Sequence, residues 1–242
     1  MNLPEGFLQY LRDLGYHPRS DKHSNALSAV IVQDLLLACP PLAMPAKQGK
    51  IVYDLNMDLR FKTATWNVDL VLGTPAMPVE TEGAPILRTT PATVRIAIEI
   101  KGVMTEHRKA VKNRKRDFEA HHEHVHNYNR RAIAAGVMVV NAATSFLSPL
   151  RLQVTEHGPR QTVNRLVEHC VNEMRNVTES GGGSAYGIDA KTGLVVDFDN
   201  VHRKAGKFIN QAPEPQPGDP LHYDSFLQRL CEEYSSRFGS QS

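Results

Sequence analysis

No apolar run in this chain is long enough to cross a bilayer. The best candidate, Ala29–Cys39, is interrupted by Gln33 and Asp34 and closed by Pro40 and Pro41, well short of the roughly 18 residues a spanning helix needs. The opening MNLPEGFLQYLRDLG carries acids and no basic leader, so neither a signal peptide nor a membrane partner is expected. Cysteine is scarce: Cys39, Cys170 and Cys231 are odd in number, far apart and free of any C-x-x-C pair. That pattern argues against a disulfide framework and a zinc knuckle, and makes a reducing cytoplasm the natural setting. Net charge is also small, with 28 Lys+Arg against 26 Asp+Glu, too balanced to mark a nucleic-acid binder by its sum. The run Gly181–Gly183 lacks the lysine of a phosphate-binding loop and reads as part of a flexible break, Ser180–Ser184.

What is present suits one domain, 1–242, with one substantial core. Glu5–Leu14 reads as a short amphipathic helix ended by Gly15, and His17-Pro18 separates it from a second helix over about 21–39. Pro40, Pro41 and Pro45 read as a stiff connector. Extended segments follow at 50–61 and 65–72, then an irregular Pro, Gly and Thr-rich excursion at 74–91. In TVRIAIEIK, Val94, Ile96, Ile98 and Ile100 alternate with Arg95, Ala97, Glu99 and Lys101, the clearest strand in the sequence. A long helix is predicted over 105–134, with Met104, Val111, Phe118 and Val125 as a narrow apolar seam. Strands at 136–141 and 193–198 and helices at 159–177 and 221–238 complete the pattern.

Period-two geometry puts Glu99 and Lys101 on one strand face about 7 Å apart, with small Ala97 leaving room beside them. In WNVDLVLG, Val68, Leu70 and Leu72 point one way, so Asp69 points the other. If the two strands are neighbours, Asp69 and Glu99 can share a metal ion. Carboxylates beside a lysine suit phosphodiester hydrolysis, which needs a cation against the phosphate, an activated water and a group to steady the extra negative charge. The plainer reading of Glu99 and Lys101 is a surface ion pair on a half-exposed strand.

The ordered set of Asp69 in VDLVLG, Glu99-Ile100-Lys101 in IAIEIK, a basic helix and the strand GVMVVN resembles the PD-(D/E)xK nuclease superfamily, over about residues 21–142. Val68 stands where that pattern has proline, and the insertion at 74–91 leaves Asp54 and Asp58 as alternative first carboxylates. The resemblance implies an α/β fold with a restriction-endonuclease-like core, a central mixed β-sheet flanked by helices, and a C-terminal elaboration over 143–242. It implies that Asp69, Glu99 and the Ile100 carbonyl ligate Mg²⁺, with Mn²⁺ able to substitute, and that Lys101 acts on the attacking water and the transition state. The expected activity is endonucleolytic cutting of double-stranded DNA by a homodimer, as a type II restriction or defence nuclease. A repair or recombination nuclease and a DNA-binding protein with a degenerate core are the alternatives.

Residues 107–116, HRKAVKNRKR, place Arg108, Lys109, Lys112, Arg114, Lys115 and Arg116 just after the E-x-K strand with no acid among them. Such a run is either a solvated helix face or a sequence-independent grip on phosphates, and the nearby E-x-K favours the grip. His121, His122, His124 and His126 lack a second ligand cluster and read as a polar helix side near DNA or a subunit contact. Asp34 reads as a helix-surface acid and Trp66 as a packing residue.

Overall fold

Seven strands form one mixed sheet with helices against both faces. The computed structural model describes residues 4–17, 20–180, 186–202 and 206–239. The chain runs α1 (Glu5–Leu14), α2 (Lys22–Ala38), α3 (Pro40–Lys47), β1 (Val52–Phe61), β2 (Ala64–Thr74), β3 (Leu87–Arg88), β4 (Thr93–Val103), α4 (His107–Tyr128) and β5 (Ile133–Asn141). It continues through β6 (Ser145–Ser148), β7 (Gln153–Glu156), α5 (Arg160–Arg175), β8 (Ala190–Asp197), β9 (Lys207–Phe208) and α6 (Tyr223–Phe238). Strand order is β3-β1-β2-β4-β5-β8-β9, with β6–β7 a separate hairpin. The β1–β2 and β2–β4 pairs are antiparallel, whereas β4, β5 and β8 run parallel.

The sequence explains this layering. In β5, IAAGVMVVN, every residue is buried, as expected of a parallel strand covered on both faces. On one face Leu70, Leu72, Ile96, Ile98 and Ile100 pack with α1, α2, α3 and α6. On the other, Phe118 and Val111 of α4 and Val163 and Val167 of α5 meet Met138 and Val140. A Cβ on Gly136 would stand 2.8 Å from Phe118 and from Ile188, so glycine is what lets α4 lie close to β5. Buried Asp189 ties α6 to the sheet by accepting from the Ala134 N–H at 2.8 Å, from His126 at 3.1 Å and from Arg237.

Three expectations change. The connector holding Pro40, Pro41 and Pro45 is the helix α3, because Pro40 and Pro41 occupy the first turn, where the missing N–H groups have no helical partner anyway. The long helix stops at Tyr128, not 134, because Asn129 turns extended and its side chain bonds the Val94 carbonyl at 2.8 Å. Cys39 and Cys231 form a disulfide although 192 residues separate them, because the end of α2 packs on α6 with the two Cα atoms 5.2 Å apart. That corrects the argument against a disulfide and removes the cysteine argument for a reducing cytoplasm. The sheet also continues past residue 142 into β8. The glycine-rich break at 181–184 and Pro18 lie outside the described residues. Among the described residues no single helix is long and apolar enough to cross a membrane.

Candidate active site

The ladder between β2 and β4 runs from Thr74–Thr93 to Leu70–Ile98 and stops there. The next partners would be Asp69 and Glu99. Instead the Asp69 carboxylate takes the place of a strand carbonyl, and Oδ2 accepts the Ile100 N–H at 2.8 Å. The N–H and C=O of a strand residue leave from the same edge, so the Ile100 carbonyl faces the same gap. Lys101 follows, its Nζ 3.9 Å from Asp69 Oδ2 and in direct contact with Glu99 Oε1. Asp69, Glu99, Ile100 and Lys101 therefore converge where the β2–β4 ladder ends.

Asp54 and Asp58 are engaged elsewhere. Asp54 accepts from Thr90 at 2.8 Å and lies 3.5 Å from Arg88, while Asp58 is exposed and accepts from Asn67 at 2.9 Å. Asp34 accepts from the Tyr223 hydroxyl at 2.9 Å, on the α6 side.

Glu99 is only 2% exposed, so the surface-pair reading of Glu99 and Lys101 does not describe it. Helix α4 covers this face of β4. Burial pushes the Glu99 carboxyl up to about 8, with Asp69 adding to the rise and Lys101 opposing it. Burial alone would lower the Lys101 ammonium, but Glu99 and Asp69 outweigh it and its pKa is raised. Glu99 Oε2 is buried with no hydrogen-bond partner, 3.7 Å from His121 Nδ1, which has none either. His121 bonds the Ala97 carbonyl through Nε2 at 3.2 Å, which requires the proton on Nε2 and leaves a lone pair on Nδ1. Burial also drops His121 to about 3, so it is neutral. A carboxylate oxygen without a donor, in a pocket of hard oxygen atoms, is suited to a divalent cation such as Mg²⁺. No group of three or more His, Cys, Asp or Glu side chains arranged for a metal occurs among the described residues.

The basic helix divides. Arg108, Lys109, Lys112 and Arg116 are exposed, while Lys115 sits 3.6 Å from Glu173 on α5. Arg114 alone reaches the cluster's neighbourhood, bonding the Gly102 carbonyl at 3.3 Å and Asp117 at 2.9 Å. At about 100° per residue the exposed four fall on the side of α4 opposite Arg114 and His121. The six cations do not converge on the cluster.

His121, Tyr16 and His23 lie beside the cluster, which the sequence reading missed. His121 and His122 are buried, not turned to a polar partner; the spacing Phe118, His121, Val125 already places His121 on the apolar seam. The Tyr16 and His23 rings meet tilted at 53° with centroids 4.6 Å apart, and Gly102 gives the Tyr16 hydroxyl room. Burial lowers the His23 pKa, with Asp69 acting the other way, and burial raises Tyr16, with Arg114 and Lys101 acting the other way. Trp66 stacks on His124 at 4.7 Å. Comparison with protein-family models, with curated proteins and with solved structures gives no match.

Proposed function

We propose that this chain is a Mg²⁺-dependent endonuclease of double-stranded DNA with a restriction-endonuclease-like core. The observation that carries the reading is the parting of β2 and β4 at Asp69 and Glu99, which leaves two carboxylates, one carbonyl edge and Lys101 around one gap. The order α2, β1, β2, β4, α4, β5 also agrees with the core that the sequence resemblance implies.

In this reading Asp69, Glu99 and the Ile100 carbonyl hold the ion. An Mg²⁺ ion bound there would supply positive charge against the scissile phosphate and lower the pKa of a coordinated water. Asp69 keeps the gap open by replacing a ladder bond with its own carboxylate. Lys101, held protonated by its two acidic neighbours, offers N–H donors to the phosphate oxygens as negative charge builds on them. Arg114, bonded to the Gly102 carbonyl, is the cation of α4 that would meet the DNA backbone beside Lys101. A two-fold dimer belongs to this reading, since one site per copy addresses one strand of a duplex. Restriction or defence is the biological role proposed.

The test is incubation of supercoiled plasmid and genomic DNA with the purified protein, with Mg²⁺ and with excess chelator. Cutting that needs Mg²⁺ and is lost in Glu99→Ala is expected. Equal cutting in chelator, or no cutting with either Mg²⁺ or Mn²⁺, would overturn the reading.

A further inference from the structure

We infer that the β6–β7 hairpin is a wedge whose apolar tip enters the base stack beside the scissile phosphate and distorts the duplex there. The inference rests on the nuclease reading above. At the tip Leu150 and Leu152, 46% and 82% exposed, flank Arg151, and Val154 on β7 is 40% exposed. Leu152 has φ 50, a left-handed conformation that is an outlier for a bulky side chain. A leucine held in that conformation with its side chain in solvent contributes nothing to the core. Its position suits contact with something outside the chain.

The hairpin is braced. Phe146 at its base is buried against Tyr16, with ring centroids 6.2 Å apart. Asn200 bonds both backbone groups of Leu147, at 2.8 and 2.9 Å. Arg151 is steadied by Glu106 at 3.2 Å.

A cleft of about 200 Å³ runs from Gly102, the residue after Lys101, to the hairpin, lined by Gly102, Tyr16 and Arg114 and by Glu106, Leu150 and Arg151. Gly102 follows Lys101 directly, so a strand whose phosphate lies at the cluster continues along this cleft to the tip. The occupant is DNA because Arg151 stands between Leu150 and Leu152 and Arg114 lines the same cleft, an arrangement that suits bases next to phosphates. Apolar wedges flanked by cations unstack base steps in this way.

The test compares the wild type with Leu150→Ser/Leu152→Ser on matched duplexes, one fully paired and one with a small bubble at the cut site. The ratio of cleavage rates, paired to bubble, is expected to fall about tenfold in the variant, since a bubble is already unstacked. In Ca²⁺, a 2-aminopurine beside the cut site is expected to brighten with the wild type and to brighten less with the variant. Leu152→Gly, which suits the left-handed backbone, serves as a second variant and should show the same loss of ratio. A wild type that cuts while both variants keep its ratio and its fluorescence change overturns the wedge and leaves the nuclease reading standing. So does a change in sedimentation with an unmoved ratio, which would assign the tip to a second copy of the chain. A wild type that cuts no DNA overturns both.

Discussion

Replacing Glu99 with glutamine removes one ionisation and almost no volume, so its effect on stability can be worked from the structure. The Glu99 carboxyl has an ordinary pKa of 4.5 and is pushed up to about 8 in the fold, mainly by burial. Between those values the folded protein keeps a proton that the unfolded chain has released. Stability therefore falls as pH rises through the window, by ~1.4 kcal/mol per pH unit, and levels off above about 8. Over the full window the loss approaches about 5 kcal/mol, an upper figure because the pocket can relax. The Glu99→Gln variant would have no such slope, while its lost contact with Lys101 adds an offset that does not change across this range. Urea denaturation of the wild type and Glu99→Gln at intervals from pH 5 to pH 8.5 measures the difference directly. The gap between the two should shift by several kcal/mol in favour of the glutamine variant. Saturating Mg²⁺ should abolish the shift in the wild type alone, because the ion favours the ionised carboxylate. Parallel profiles for the two proteins without metal would refute the argument that burial governs this carboxyl.

Lys101→Met keeps the length and loses the charge, so in single-turnover cleavage it should cost about two to three powers of ten while leaving metal affinity near normal. Cleavage within a few-fold of wild type would remove Lys101 from the chemistry. Asp189→Asn takes the negative charge from a buried site that accepts from Arg237, His126 and the Ala134 N–H. Because Arg237 keeps Glu233 at 2.9 Å, the loss should sit at the low end for a broken buried pair, about 3 kcal/mol. For a chain of this length that is a Tm lower by about 6–12 °C in calorimetry. A shift under about 2 °C would mean that the cluster does not hold α6 in place.

Asp69, Glu99 and Lys101 were legible because strand geometry is local: alternation in TVRIAIEIK and WNVDLVLG decides which way each side chain points. Their burial was not. The same alternation suggested a polar, half-exposed face, and only the packing of α4 over β4 turns Glu99 into a buried acid with its pKa raised. The basic run reads as a block along the chain, yet helical phase sends Arg114 one way and Arg108, Lys112 and Arg116 another. Tyr16 and His23 come from the far N-terminal side of the sheet, and no period in the sequence connects them with Lys101. The β6–β7 hairpin escaped because FLSPLRLQV has no clean alternation and its strands are four residues each.

The Cys39–Cys231 bond joins the end of α2 to α6, so the backbone between them, including every strand of the sheet, forms one closed covalent circuit. Of the described elements, only α1, α2 and the last turns of α6 hang outside it. A protease that cuts once within the circuit, for example at the exposed tip around Leu152, linearises the loop without releasing a fragment. On a non-reducing gel such a nicked chain keeps its full mass, and it separates into two pieces only after a thiol is added.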